Sequence, residues 1–198
     1  MAVVDLENRR PPCAIAATNA GYRSDVVRSL GGRKPLPRSA IGFGRRVMTK
    51  FKVRDPDYEA RVRESFGRQP FMATIGAALR SVEPGRVAIE VPCEDHITQQ
   101  HGFIHGGVVG AIADNAAGYA AYSLMDAEDT VLTVEYKLNL LAPAKGNRIV
   151  AQAEVMRPGR TLTIVRSDVS AIDGDKETVC ATSVVTIIRM AGKSDRAS

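Results

Sequence analysis

The most regular hydrophobic segment of the chain runs from His105 to Leu124, where nearly every residue is small and apolar and none is Pro, Lys, Arg or Glu. A helix that is apolar on almost every side has to be buried on almost every side. The segment is close to membrane-spanning length, about 20 residues, but its glycines, Asp114 and Asn115 argue against a span. It therefore predicts a buried central helix.

The clearest strand pattern follows at Thr130–Leu141. Strict alternation would put five apolar residues on one face: Leu132, Val134, Tyr136, Leu138 and Leu140. The same alternation would put the polar residues on the other: Thr133, Glu135, Lys137 and Asn139. A strand that is apolar on one side only is typical of an antiparallel sheet with one face on the core. The sequence thus predicts that this strand packs its apolar face on the central helix.

Shorter patterns predict five more strands and one more helix. The strands are Met72–Val82, Arg86–Pro92, Arg148–Met156, Thr161–Ile172 and Glu177–Met190, and turn residues such as those of 83–85 and 173–175 separate neighbours. A short amphipathic helix is predicted over Asp55–Phe66, with Asp55 or Asp57 near its N-cap. The order of strand, strand, long helix and four strands favours an α+β fold, a six-stranded antiparallel sheet around one helix.

Composition indicates the class of the protein and how much of the chain forms a folded domain. The 198 residues suit one domain plus extra chain, with 44% hydrophobic residues to form a core. Three cysteines, Cys13, Cys93 and Cys180, lack metal-type spacing and leave one unpaired, which favours reduced thiols and a cytoplasmic protein. The first residues lack the basic-then-apolar pattern of a signal peptide.

The positive charge is concentrated at one end of the chain. Residues 1–47 hold nine basic and three acidic residues, a balance of +6 that exceeds the +5 of the whole chain. We interpret 1–47 as a poorly ordered extension with a short helix around Ser24–Leu30, 48–190 as the folded domain, and 191–198 as a polar tail. Translation from Met48 is a further hypothesis. Because the domain is not basic, the charge does not indicate nucleic-acid binding.

Candidate chemistry centres on Asp114, the one charge within the central helix. Residues three, four and seven positions away share its face, and all of them are Gly or Ala. The carboxylate would therefore stand on a stripe of little bulk, open to a ligand or to another chain. Burial of an ionised carboxylate is costly unless it has partners or a task; a small-residue packing face with Asp114 bonded to the backbone is an equally weighted alternative.

The start of the helix carries a second feature, the pair Gly106 and Gly107. Backbone N–H groups in a first helical turn lack intrahelical partners, and the helix dipole favours negative charge there. Without side chains, these donors could approach the oxygen of a substrate closely. Donors of this kind and a carboxylate are what acyl transfer uses, although a glycine-rich helix entrance without a function would look the same.

Other chemistries have weaker support. His96, His101 and His105 fall within ten residues, but no second group of acids or cysteines accompanies them, so no metal site is predicted. Cys93 near His96 is a weaker case still for a thiol nucleophile. The sequence has no Gly-x-Ser-x-Gly elbow of a serine hydrolase.

The segment His105-Gly106-Gly107, followed by an apolar run to Asp114 and preceded by Gln99 and Gly102, resembles the signature of hotdog-fold acyl-CoA thioesterases, in particular the PaaI-like (phenylacetate-degradation) group. The resemblance covers roughly residues 71–190. It implies that Asp114 is the general base or the nucleophile and that the Gly106 N–H polarises the thioester carbonyl. Gln99 would contact the thioester or the attacking water, and His105 would shape the turn.

The resemblance also implies the remaining parts of a site. A strand hydroxyl, here Thr133, would orient water, and Gly107 and Gly118 would leave room for substrate. Coenzyme A would enter as part of the substrate rather than as a cofactor. Its phosphates could meet the cations of two turns, Lys145, Arg148, Arg157 and Arg160, although solvated surface charge is the default interpretation of such residues. The site would span the interface of a homodimer, which can pair further into a dimer of dimers. No nucleic-acid or membrane partner is expected.

Two other functions fit a hotdog fold. One is a non-catalytic acyl-CoA-binding module that regulates transcription, but residues 1–70 show no helix-turn-helix pattern. The other is an enoyl-CoA hydratase, which resembles a different pattern with a working histidine. Hydrolysis of an acyl-CoA thioester is therefore the leading hypothesis.

Overall fold

The computed structural model describes residues 51–193. The predicted extension at 1–47, with its short helix, and the end of the polar tail lie outside this range. The helices are α1 (Tyr58–Gly67), α2 (Pro70–Thr74) and α3 (Gly106–Tyr122), and the strands are β1 (Ala78–Glu83), β2 (Arg86–Pro92), β3 (Thr130–Leu140), β4 (Arg148–Pro158), β5 (Leu162–Asp173) and β6 (Lys176–Met190). The six strands form one antiparallel sheet in the order β1-β2-β4-β5-β6-β3. The predicted architecture is confirmed.

Helix α3 lies in the core of the sheet, as its composition predicts. Eleven of its seventeen residues are buried, and its contacts extend to five of the six strands. The sheet covers it with aliphatic side chains from the inner faces of the strands, such as Ile149, Val165 and Val185, each fully buried. A helix of Ala and Gly brings its backbone close to the strands, so the sheet can curl around it without large side chains.

The first predicted strand is wrong at its beginning. Residues 70–74 form the short helix α2, and β1 starts only at Ala78. Pro70 is at the first helical position, where its missing N–H costs nothing, and Gly76 turns the chain with φ of +68°. The apolar residues of this segment therefore belong to a short helix and the turn after it, and not to a strand.

The predicted faces of β3 are right for Tyr136, Leu138 and Leu140 but wrong up to Val134, because a β-bulge at Val134 shifts the alternation. Thr133 pairs with Ile187, and Glu135 pairs with Thr186, so Val134 is the extra residue. Residues paired across strands share a face. Ile187 points into the core, and so do the partners of Tyr136, Leu138 and Leu140. Thr133 consequently shares the helix-facing side of β3 with these three residues, and Leu132 lies on the opposite side.

Helix α1 is attached to the C-terminal end of α3 through Arg61. Its Nε donates to Asp55 Oδ2 at 2.7 Å, and its Nη2 donates to the carbonyl oxygens of Tyr122 and Met125. The guanidinium also lies 4.1 Å from the centre of the Tyr122 ring. Arg61 thus neutralises the buried Asp55 and satisfies carbonyls that a helix end leaves without partners.

We expect Arg61→Met to lower the free energy of unfolding by about 3 kcal/mol, because it leaves Asp55 buried without its countercharge. Urea denaturation measures the change. Arg63→Met on the same helix is the matched control: Arg63 pairs with Glu59 at the surface, where such a pair contributes about 0.5 kcal/mol or less. Equal losses in the two variants would contradict the structural role assigned to Arg61.

Candidate active site

The centre of the candidate site is the Asp114 carboxylate, in the middle of α3 and half-buried. The Thr133 hydroxyl donates a hydrogen bond to Asp114 Oδ1 at 2.8 Å. Burial raises the pKa of Asp114, and the hydrogen bond from Thr133 offsets part of that rise. An acid whose pKa is raised by its surroundings is a better proton acceptor than an ordinary surface aspartate once it is ionised.

Asp114 lines a cavity of about 530 Å³ between α1, α3 and the first residues of β3. Thr133 and Gly118 also line it, and so do polar side chains of α1. A Cβ added to Gly118 would meet nothing within 4 Å. The cavity therefore opens beside the carboxylate, one helical turn further along α3.

The stripe of small residues along α3 is less open than its sequence indicates. Leu140 lies over Gly106, and Leu138 and Tyr136 lie over Gly110, so β3 covers the N-terminal part of the stripe. The N-terminal part of the stripe is therefore not open to a ligand within one copy of the chain. Free space remains around Gly118, on the side of Asp114 where the cavity lies.

The entrance of α3 is organised by His105, which is the N-cap residue. Its Nδ1 accepts a hydrogen bond from the Gly107 N–H at 2.9 Å. A Cβ on Gly107 would lie 2.9 Å from that nitrogen, so this position needs glycine for the cap itself. The Gly107 N–H is thus engaged in the cap. Within residues 51–193, the Gly106 N–H donates no hydrogen bond.

Gln99 lies at the same end of α3 as Gly106, in a tight loop closed by the bridge between Thr98 and Ile104. The Gln99 carbonyl accepts from the Gly102 N–H, where φ is +76°, and its side-chain Oε1 accepts from the His101 N–H. The fold therefore places Gln99 and the Gly106 N–H at the same end of α3, and their joint role stays a prediction. Neither residue lines the cavity of Asp114.

The four basic residues expected near coenzyme A fall into two separate places. Lys145 and Arg148 flank the start of β4, and Arg157 and Arg160 flank its end. Arg148 and Arg157 are nine positions apart on this strand, which places them about 30 Å from each other. One phosphate group cannot contact both places within a single copy. Arg148 is moreover paired with the buried Glu90, at 3.3 Å, so its availability as a phosphate ligand is lower than predicted.

In the part of the chain that the structure describes, no arrangement of side chains supports the alternative chemistries. Within residues 51–193 no group of three His, Cys, Asp or Glu side chains is placed to hold a metal ion. His96 contacts the Thr74 carbonyl, and His105 is used as the helix cap. No helix in these residues is long and apolar enough to cross a bilayer.

Sequence reasoning missed further polar residues that line the cavity, among them Ser65, Gln69, Asn115 and Tyr119. Ser65 and Gln69 come from α1 and the turn after it, and Asn115 and Tyr119 from α3. Asn115 follows Asp114 directly, and Tyr119 is one turn further. The signal in the sequence was two polar residues on an otherwise small and apolar helix, but their partners on α1 could be found only from the fold.

Comparisons with known proteins agree on one family. The model of the thioesterase superfamily matches residues 101–178. A crystal structure of a thioesterase family protein from Silicibacter pomeroyi is 47% identical, with a TM-score of 0.66, and the match covers 67% of this chain and 98% of that one. The 1,4-dihydroxy-2-naphthoyl-CoA hydrolase of Listeria monocytogenes is 29% identical over 46% of this chain and 74% of its own length.

The fold is also that of the PaaI protein from the phenylacetic acid degradation operon of E. coli, with a TM-score of 0.63. The identity of 16%, over 71% of this chain and 99% of that one, limits this likeness to the fold. The chain spans between 66% and 81% of the length of the curated relatives that it matches.

Proposed function

This chain belongs to the thioesterase superfamily and has the hotdog fold, and from that premise we propose that it hydrolyses an acyl-CoA thioester to a free acid and coenzyme A. The observation that carries the proposal is the Asp114 carboxylate, held by Thr133 at the wall of a cavity. Hydrolysis of a CoA thioester is also the activity that the name of the Listeria relative states.

The proposed site needs two copies of the chain. Gly106 precedes Asp114 by eight residues, about 12 Å along the axis of a helix. A carbonyl oxygen bound at the Gly106 N–H would therefore lie beyond reach of Asp114 in the same copy. In the proposed homodimer, Asp114 of one copy acts together with Gly106 and Gln99 of the other. If two such dimers associated into a tetramer, each dimer would retain both of its active sites.

The edge of the sheet supports a partner copy of this kind. Strand β3 is at the edge, so within residues 51–193 one row of its backbone donors and acceptors has no neighbouring strand. Its large apolar side chains are about half exposed, at 58% for Leu132, 56% for Val134 and 47% for Tyr136. A long apolar edge strand tends to pair with another strand. Antiparallel pairing of β3 with a second β3 would cover this edge symmetrically.

The proposed chemistry uses the ionised carboxylate. As a general base, Asp114 takes a proton from water while the water oxygen attacks the thioester carbonyl. The carbon–sulfur bond then breaks, and the CoA thiolate takes the proton back. As a nucleophile, Asp114 would attack the thioester carbonyl, and the carbon–sulfur bond would break to give a mixed anhydride and the CoA thiolate. Water would then cleave the anhydride to the free acid and the Asp114 carboxylate, and the thiolate would take up the proton that is released. In both routes the Gly106 N–H stabilises the negative charge on the carbonyl oxygen, and His105 holds the helix entrance in place.

The remaining residues position the substrate in this proposal. The spare side-chain N–H groups of Gln99 reach the thioester or the attacking water, and Gly118 leaves room for the acyl group. The phosphates of coenzyme A contact Lys145 at the Gly106 end or Arg157 and Arg160 at the other end of β4. None of these three cations has an ion-pair partner within residues 51–193.

A panel of acyl-CoA esters with colorimetric detection of the free thiol tests the proposal. We expect saturable thiol release from at least one ester of the panel, without added metal or cofactor. Saturable binding of acyl-CoA without any release would instead favour a binding module, and hydration of an enoyl-CoA would favour a hydratase.

The pH profile tests the contact between Thr133 and Asp114. Thr133→Val removes the hydrogen bond that lowers the pKa of Asp114, so this pKa should rise further. Because the reaction needs the ionised carboxylate, the acid limb of the kcat/KM profile should move to higher pH. Thr133→Ser keeps a hydroxyl and should restore the wild-type limb. An acid limb that is the same in all three proteins would remove Thr133 from the mechanism.

A further inference from the structure

The cavity beside Asp114 has polar residues in its lining. In addition to Asp114 and Thr133, its wall includes the side chains of Ser65, Gln69, Asn115 and Tyr119. A cavity for a long alkyl chain needs an apolar lining, because each polar group left without a partner costs free energy. This wall is therefore unsuited to a saturated chain and suited to a polar group.

The four side chains form a continuous chain of hydrogen bonds. Asn115 Nδ2 donates to Gln69 Oε1 at 2.8 Å, and Gln69 Nε2 donates to the Tyr119 hydroxyl at 2.7 Å. The Tyr119 hydroxyl lies 3.0 Å from Ser65 Oγ. Each amide is thus oriented by its neighbour, and the chain ties α1 to α3 across the cavity.

This chain leaves donors and an acceptor unused. A primary amide has two N–H donors, and the hydrogen bonds above use one on Asn115 and one on Gln69. Asn115 Oδ1 is buried and has no hydrogen-bond partner among the described residues, 51–193. A hydroxyl group brought to this wall could accept from a spare amide N–H and, after a small rotation of Asn115, donate to Oδ1. An alkyl group could do neither.

Distances along the helix indicate where the polar group would be. Asn115 is one residue beyond Asp114 and Tyr119 is five beyond it, so the polar wall ends about 7 Å along the axis from the carboxylate. An extended chain of six carbons with a terminal oxygen has about this length. The free space next to Gly118 connects the two ends.

We infer that the wall formed by Ser65, Gln69, Asn115 and Tyr119 selects acyl groups of short length that carry a hydroxyl at the end remote from the thioester. This inference rests on the proposed function, since it takes the cavity as the acyl site. Gln69 and Tyr119 act as specificity-determining residues and take no part in bond breaking.

Three esters with the same carbon number test the inference: hexanoyl-CoA, 6-hydroxyhexanoyl-CoA and adipoyl-CoA. We expect kcat/KM to be about tenfold higher for the hydroxylated ester than for hexanoyl-CoA, the factor expected for one added hydrogen bond. Adipoyl-CoA, with a terminal carboxylate, should be the poorest. Arg68, the one cation that lines the cavity within residues 51–193, is exposed and already pairs with Glu64 at 2.9 Å.

Two variants assign the preference to the wall. Gln69→Leu removes both amide groups at nearly constant volume, and Tyr119→Phe removes a single hydroxyl. Both should bring the ratio of hydroxylated to plain ester close to one, chiefly through slower hydrolysis of the hydroxylated ester. Tyr58→Phe is the matched control, because Tyr58 does not line the cavity; its ratio should equal that of the wild type.

Binding separates this inference from the proposed function. Calorimetry with the Asp114→Asn protein measures the Kd of hexanoyl-CoA and 6-hydroxyhexanoyl-CoA without any turnover. Tighter binding of the hydroxylated ester, lost on addition of Gln69→Leu, supports the wall even if no ester is hydrolysed. Equal Kd values for the two esters, a preference for adipoyl-CoA, or a preference that persists in both wall variants would overturn the inference.

Discussion

Replacement of Asp114 by Asn is expected to slow thiol release from acyl-CoA by at least about 100-fold, the lower end of what a general base contributes. Asn has nearly the same shape and can still accept the hydrogen bond from Thr133 through its amide oxygen. It cannot take a proton from water, nor attack a carbonyl. The loss should appear in kcat, because the acyl group and coenzyme A would still be bound.

The same variant separates a catalytic role of Asp114 from a structural one. The pKa of this carboxyl is raised in the folded protein, so ionisation costs stability as the pH rises above the ordinary pKa of an aspartate. The Asn variant, which never ionises, should therefore unfold at the same or higher temperature at pH 7. Asp173→Asn, at the exposed C-terminal end of β5, controls for the loss of a negative charge. An Asp114→Asn protein with wild-type turnover would remove Asp114 from the mechanism.

Replacement of Gly106 by Pro is expected to lower kcat by about 10²–10³, the usual effect of losing one oxyanion donor. Gly106 is the first residue of α3, where proline is favoured, and His105 has the extended conformation, with ψ of 136°, that a following proline requires. The substitution therefore deletes one N–H without breaking the helix. Initial rates over a range of substrate concentration give kcat and KM separately.

Gly106→Ala is the matched control because it keeps the N–H. Its Cβ would lie 3.3 Å from Leu140 Cδ1, the end of a side chain that can shift. We expect Ala to retain most of the activity that Pro loses. Equal losses in the two variants would mean that space at the helix entrance, rather than the donor, is what the reaction needs.

The sequence was sufficient for most of the architecture. Helix α3 could be predicted because its only charged residue is Asp114. A helix without a polar face has to be buried in the core. The strands β2 and β4 to β6 could be predicted because alternation and Gly- or Pro-containing turns coincide. These are local signals, and they agree with one another.

The features that sequence reasoning missed depend on non-local contacts. One extra residue, Val134, reverses the two faces of β3 on its N-terminal side only, and nothing in the alternation marks that position; only the pairing with β6 reveals it. The same bulge brings Thr133 to Asp114, a contact that strict alternation argued against. The bonds from Gln69 to Asn115 and Tyr119 join residues 46 and 50 positions apart, so no local pattern could report them.

The central claim is that Asp114 of one copy and the Gly106 N–H of another form one active site. Mixing the Asp114→Asn and Gly106→Pro proteins under conditions that allow subunit exchange tests it directly. Half of the dimers should then be mixed, each with one intact and one doubly altered site, so activity should recover to about a quarter of the wild-type value. A mixture that stays as inactive as its two components would contradict a shared site.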